Sequence, residues 1–233
     1  MYNVGLGMRM TPAVKNLILA NVAVFLFREL IAPGMNSFFV NFLPAVYSSV
    51  PLGRIDAFSI LFGLVPGLAI NKLFIWQLGT YMFLHGGFWH IFLNMFILWM
   101  FGTRLEGTWG TREFLKYYFL TGIAAGVANI VFHFGSLVPT IGASGAIYGL
   151  LAAFALFYPD EPIYLYFLFP IKAKYFVLIL AGIEFLSSYN YDGIAHIAHL
   201  GGMVAGFFYI KHRYHHWGIG QSFFKDFFKK KDY

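Results

Sequence analysis

The chain is a series of long apolar stretches separated by short polar punctuation. After a weakly basic lead over residues 1–10, Thr11-Pro12 has the form of an N-cap followed by proline at the first helical position. The apolar run from there to about Ala32 predicts a first span, with Arg28 and Glu29 near its far end, where they can pair or snorkel. From Pro33 to about Ile75 the chain stays apolar but is broken by Pro44, Pro51, Gly53, Pro66 and Gly67. It is too hydrophobic for an ordinary loop and too punctuated for a clean span, so it reads as an interfacial, partly helical hairpin. Further spans are predicted over Trp76–Phe101, Phe114 to about Phe134, Tyr175 to about Ser188, and about Gly193 to Ile210.

One apolar run is shorter than these. It ends at Tyr158-Pro159-Asp160-Glu161-Pro162, where proline cannot continue a helix and paired carboxylates belong in water. A complete span of roughly 20 residues counted back from Pro159 would have to include Gly142 and Gly145. Glycine costs about 1 kcal/mol relative to alanine in a helix interior, so the predicted helix begins near Ser144. At about 14 residues it is about 21 Å long, against a hydrocarbon thickness of about 30 Å. Its first turn then lies at membrane depth, where irregular backbone persists only if protein buries it or it lines a watery cavity. The free N–H groups and positive dipole end of a helix start favour negative charge beside Ser144.

Composition makes the membrane reading firm. Only 11% of the 233 residues are charged and 59% are hydrophobic, with a mean hydropathy of +0.68, outside the range expected of a soluble domain of this size. The 29 Phe, 15 Tyr and 5 Trp supply interfacial belts. There is no cysteine, which removes disulfides and thiolate chemistry. No small-residue cleavage site follows the first span, so a removable signal peptide is not expected. The expected class is therefore an all-α polytopic membrane protein. It has a short lead (1–10), a six-helix membrane domain (11–212) and a basic aromatic tail (213–233) that suits a membrane surface.

The net charge of +6 is better explained by membrane orientation than by nucleic acid, which is not an expected partner. With six spans and the N-terminus inside, Arg9, Lys15, Arg104, Arg112, Lys116, Lys172, Lys174, Lys211, Arg213, Lys225, Lys229, Lys230 and Lys231 fall on the inner side, 13 of the 16 basic residues. The positive-inside rule then puts both termini in the cytoplasm and opens the Ser144 cavity to the outer side. A bacterial inner membrane is the expected location.

Polar groups inside spans are costly and mark candidate chemistry. His90 and Asn94, four apart, share one face of the second span, while His196 and His199 are three apart in the last. Gly145-x-x-x-Gly149 and Gly202-x-x-x-Gly206 are small-residue faces that let helices approach closely, which would bring Ser144 to a histidine. A hydroxyl beside a neutral imidazole is the minimum for nucleophilic acyl chemistry. His90, Asn94 and the Ser144 backbone N–H are candidate donors to the tetrahedral oxyanion. No Asp or Glu is placed to orient the base; Asp192 sits in an outer loop, and a dyad is expected. Glu184 is unusual within the fifth span, where it faces the bundle or reaches the outer interface.

These motifs together resemble the rhomboid family of intramembrane serine proteases. The resemblance rests on His85-Gly86-Gly87-Phe88-Trp89-His90-Ile91-Phe92-Leu93-Asn94, Gly102-x-x-x-Glu106, Gly142-Ala143-Ser144-Gly145-x-x-Tyr148 and Ala198-His199-Leu200-Gly201-Gly202-x-x-x-Gly206, in that order. It implies Ser144 as nucleophile, His199 as base, and His90 and Asn94 in an oxyanion hole, with Tyr148 packed on the His199 ring. The spacing to Gly202 and Gly206 favours His199 over His196. The connection Pro33–Ile75 resembles the family's membrane-embedded first loop, and Tyr189–Asp192 its mobile cap. The implied substrate is a transmembrane helix of another membrane protein, entering from the bilayer and cut at small or helix-breaking residues, with no cofactor and no metal. Two other classes remain. One is an inactive relative that binds membrane helices. The other is a metal-binding membrane protein using His85, His90, His196 and His199. In the simplest reading of the rest, Arg104 and Glu106 form a network that fixes helix ends, and His85, His133 and His196 are satisfied polar groups.

Overall fold

The computed structural model describes residues 9–42, 56–165, 169–188 and 195–214. The Tyr189–Asp192 loop and the basic tail beyond Tyr214 lie outside the described residues. By packing, the chain divides into two compact units, Met1–Lys116 with Ile130–Ser144, and Tyr117–Asn129 with Gly145–Tyr233.

The first unit opens with helix α1, Pro12–Leu30, followed by a 3₁₀ turn, Ala32–Met35, and α2, Asn36–Phe42. Thr11 holds the N-cap position, but its side chain makes no capping bond. The capping oxygens come from Glu106, 93 positions away in sequence, whose carboxylate accepts the Ala13 and Val14 amides at 3.0 Å each. The Thr111 hydroxyl donates to the same carboxylate at 2.6 Å. Glu106 is 2% exposed, and the two N–H groups it satisfies have no intrahelical partners, so one buried charge offsets the dipole end of α1. The expectation that Glu106 fixes helix ends is met, by a route across the fold.

The apolar connection after α1 is partly helical where it is described, with Leu64 in an isolated β-bridge to Thr140. Helices α3, Ala57–Phe62, and α4, Pro66–Asn71, pack through Phe58, Ile60, Val65 and Leu68 around one buried cluster with Ala32, Phe74 and Leu84. Asp56 caps α3 through the Ser59 amide at 2.8 Å, and Arg28 of α1 donates to both Asp56 and the His85 carbonyl at 2.8 Å each. Gln77 supplies further order by accepting from the Val65 amide and donating to the Ile60 carbonyl, which satisfies loop backbone that water would otherwise have to reach.

The predicted second span is not straight. Helix α5, Gln77–Thr80, continues as a 3₁₀ turn over Tyr81–Phe83 and breaks at Leu84–Gly87. It then resumes as α6, Phe88–Ile97, a π turn, Leu98–Gly102, and α7, Thr103–Trp109, bent by 98° from the first segment. Gly86 and Gly87 lie in the break, so His85 sits in irregular backbone rather than within a continuous span. Helix α8, Thr111–Phe132, is the one described helix long and apolar enough to cross a membrane alone, or one of three if each bent pair counts as a span.

The second unit holds α9, Ser144–Phe157, with Ser144 itself assigned by packing to the first unit. The helix starts at the predicted serine and has 14 residues. After it comes an element the sequence reading did not anticipate, an antiparallel hairpin of β1, Pro162–Leu165, and β2, Phe169–Lys172, with Pro162 opposite Lys172. Asp160 anchors its base to Lys172 at 2.8 Å and to Lys174 at 3.1 Å. Helices α10, Ala173–Ser187, and α11, His196–Arg213, follow. Outward positions on α8, α10 and α11, such as Val131, Ile183 and Phe208, are exposed and apolar, as a bilayer solvent requires.

Two outcomes follow from these contacts. Replacing Glu106 with Ala leaves two buried amides unpaired, which costs about 1–3 kcal/mol and lowers the unfolding temperature of the purified protein by several degrees. Glu106→Gln, which keeps one acceptor oxygen, loses less. The second concerns pH. Burial alone would raise the Asp56 carboxyl, but hydrogen bonds from Arg28 and Ser59 outweigh it and hold the group below its ordinary value. A depressed carboxylate stabilises above the ordinary range and loses that contribution as pH falls through its lowered value. Wild type should therefore exceed Asp56→Asn in thermal stability by at most about 1 kcal/mol at neutral pH, because the pair is part-exposed, and the difference should vanish in acid.

Candidate functional site

Two groups of polar residues carry the candidate chemistry, one in each unit. In the first unit, Gly142 precedes α9 with a φ of 127°, a backbone state that L side chains rarely adopt. Its amide donates to the Tyr81 carbonyl at 2.9 Å, which ties the approach to Ser144 onto the broken second span. A side chain at Gly142 has no room. A β-carbon there would lie 2.8 Å from His90 Nε2 and 3.6 Å from Ser144 Oγ. His90 and Ser144 thus flank one glycine, brought together by the close approach it permits.

The His90 ring has a readable orientation. Its Nδ1 accepts from the Gly86 amide at 3.3 Å, so in the neutral ring the proton sits on Nε2, the nitrogen that faces Gly142. That edge is a donor, as an oxyanion contact needs, and not a base. Asn94, one turn on and 6% exposed, donates from Nδ2 to the His90 carbonyl at 2.7 Å, keeping a second N–H on the same nitrogen. His85 is fully buried beside His90, their rings 5.0 Å apart edge to face.

In the second unit, the two small-residue faces meet. A β-carbon on Gly202 would overlap the Gly145 carbonyl, and one on Gly206 would strike the Tyr117 hydroxyl and lie 3.1 Å from the Gly149 carbonyl. Tyr117 donates to that Gly149 carbonyl at 2.6 Å. Thr121 of α8 in turn occupies the space a side chain at Gly149 would need, within 2.6 Å. Helices α9 and α11 are thus in backbone contact.

His199, 7% exposed on α11, stacks face to face on Tyr148 of α9 with ring centres 4.3 Å apart and planes 7° from parallel. A carboxylate that the sequence did not place near this ring lies beside it. Glu184 of α10 places Oε2 3.1 Å from His199 Nδ1 and 2.6 Å from His196 Nδ1, while its Oε1 accepts from the Tyr148 hydroxyl. Of the two open readings for Glu184, the one that faces it into the bundle holds, at 6% exposure. Its unusual position within an apolar span was the available signal. Its partner could not be named from sequence, because a carboxylate on one helix reaches any ring that folding brings alongside.

Glu184, His196 and His199 offer three potential metal-ligand atoms within 4.8 Å of one another. This set shares only its two histidines with the one considered from sequence. A tetrahedral zinc site with bonds of about 2.0–2.1 Å separates neighbouring ligand atoms by roughly 3.3 Å. The 2.6 Å between Glu184 and His196 is too short for that and is the length of a charge-assisted hydrogen bond. Glu184 is joined to His196 and to Tyr148 by hydrogen bonds.

The structure thus defines a helical protein with one partly buried set of serine, histidine and glycine groups and one buried set centred on Glu184, His196 and His199. The rhomboid domain family matches residues 72–215, more than half the chain, and the chain belongs to the rhomboid family of integral membrane proteins. It is similar to Rhomboid protease GluP of Bacillus subtilis, 36% identical over 133 residues, covering 57% of this chain and 25% of that protein. It is also similar to the mitochondrial Rhomboid protein 1 of Saccharomyces cerevisiae, 32% identical over 134 residues, covering 54% of this chain and 38% of that one. The mitochondrial presenilin-associated rhomboid-like protein of Rattus norvegicus is 29% identical over 133 residues, covering 55% of this chain and 35% of its own. The chain matches less than half the length of each of these relatives.

Removing the small-residue contact should disable the site without touching a polar group. Gly202→Ala forces a methyl onto the Gly145 backbone, which no rotamer change can relieve, so α9 and α11 must separate. The expected result is a destabilisation of about 1–3 kcal/mol, read as a lower unfolding temperature, and larger than that of Gly182→Ala, where an added β-carbon meets nothing within 4 Å.

Proposed function

We propose that this chain is an intramembrane serine endopeptidase that cuts a peptide bond in or beside a transmembrane helix of another membrane protein. Ser144 is the nucleophile and His199 the base. The observation that carries this reading is the contact of Gly202 with the Gly145 carbonyl. Ser144 is bonded to Gly145, and His199 is one helical turn before Gly202.

In the proposed reaction, His199 Nε2 takes the proton of Ser144 Oγ as that oxygen adds to the scissile carbonyl carbon. The carbonyl oxygen becomes an anion held by the Ser144 amide, His90 Nε2–H and the remaining Asn94 N–H. As the C–N bond breaks, the imidazolium returns its proton to the leaving amine. Water then attacks the acyl-serine with the same base, releasing the carboxylate and restoring the hydroxyl. Gly142, Gly145, Gly202 and Gly206 serve this by allowing close approach, and Tyr148 by holding the His199 ring.

The substrate must unwind locally, because a hydrogen-bonded helix hides its carbonyls, so small or helix-breaking residues are expected near the cut. In the proposed topology six spans leave both termini in the cytoplasm and water reaches Ser144 from the outer side. Relatives at comparable identity include a bacterial and a mitochondrial protein.

Purified wild type in detergent should cleave a model transmembrane substrate, and Ser144→Ala and His199→Ala should each lower kcat at least about 10³-fold. His196→Ala should retain cleavage well above both. Unchanged cleavage in Ser144→Ala would rule out the proposal. Chelator treatment should leave the rate unaltered, whereas a metal enzyme would lose it.

A further inference from the structure

Glu184 does more than fill a buried position. Its two carboxylate oxygens reach the His199 ring by separate routes. Oε2 lies 3.1 Å from Nδ1, at ion-pair distance but outside hydrogen-bond geometry, and Oε1 accepts from the hydroxyl of Tyr148, the residue stacked on the ring's face. A held stacking partner sets the plane of the ring, and a fixed negative charge beside one nitrogen favours the rotation that keeps that nitrogen near it. A carboxylate that only needed its charge satisfied would be served by His196 at 2.6 Å, without Tyr148 or His199.

We propose that Glu184 is the positioning residue for the base, so that the site works as a Ser144–His199–Glu184 line rather than a dyad. This rests on the reading of His199 as base. The negative Oε2 3.1 Å from Nδ1 favours a proton on that nitrogen, which leaves the lone pair of the neutral ring on Nε2, where the serine proton must go. When the ring takes that proton it becomes a cation beside an anion already in place, with no reorganisation of solvent. Tyr148 acts through the same carboxylate, its hydroxyl held by Oε1 and its ring by stacking.

The test uses the full chain in detergent with a transmembrane substrate, measuring kcat, KM and unfolding temperature for wild type, Glu184→Gln, Glu184→Asp and Tyr148→Phe. Glu184→Gln keeps the shape but can offer an N–H to Nδ1, which favours the wrong tautomer. Its kcat should fall on the order of 10²- to 10⁴-fold with KM within about twofold of wild type. Glu184→Asp restores the charge and should recover at least about tenfold of that loss, and Tyr148→Phe should cost less than Glu184→Gln. A merely structural role predicts the reverse for the aspartate, since the shorter side chain packs worse. An aspartate no better than the glutamine overturns the proposal even if both variants are less stable. Wild-type kcat in Glu184→Gln, alongside an inactive Ser144→Ala, overturns this inference alone. Full activity in Ser144→Ala overturns both it and the proposed function.

Discussion

The backbone contact between Gly202 and the Gly145 carbonyl is the constraint on which the rest of the second unit depends. Helices bearing ordinary side chains at those points would pack about 8–10 Å apart. Glycine on both faces brings them closer, and the Tyr148 ring of α9 then lies flat on the His199 ring of α11. Lipid offers no hydrophobic incentive for helices to associate, so close van der Waals packing and a few buried hydrogen bonds must supply it. The Tyr117 bond to the Gly149 carbonyl belongs to the same seam.

A second theme is how polar groups survive in an apolar chain. Glu106 satisfies two amides of α1, Gln77 the Val65 amide and the Ile60 carbonyl, and Arg28 reaches both Asp56 and the His85 carbonyl. Each is an ionisable or amide side chain that satisfies at least one backbone group far away in sequence. Glu184 differs because its partners are side chains of the kind that do proton chemistry. That difference is why it invites a mechanistic reading where Glu106 invites a structural one.

Much of the architecture was legible in the residues. The start of α9 at Ser144 followed from glycine's cost in a helix and from the Pro159 stop, and its 14-residue length came out as expected. The pairing of the two small-xxx-small faces was legible for the same reason, since only glycines permit it. The bend within the second predicted span was not, because Gly86-Gly87 in an apolar run is compatible with either a packed helix or a break. The β1–β2 hairpin was hidden as well, since an apolar aromatic segment between two turns carries no period that separates strand from loop.

What the sequence determined on its own was the kind of protein and its vocabulary: an apolar helical chain, a serine at a glycine-flanked helix start, and histidines on two other helices. Those are local facts, decided by composition, propensity and spacing. Only the tertiary structure decided which atoms face one another. It turned the protonated edge of His90 toward Gly142, brought the Glu106 carboxylate to a helix 93 residues away, and set Glu184 against His199. The physical reason is that a carboxylate's partners depend on the rotation and offset of packed helices, which no single helix's pattern contains.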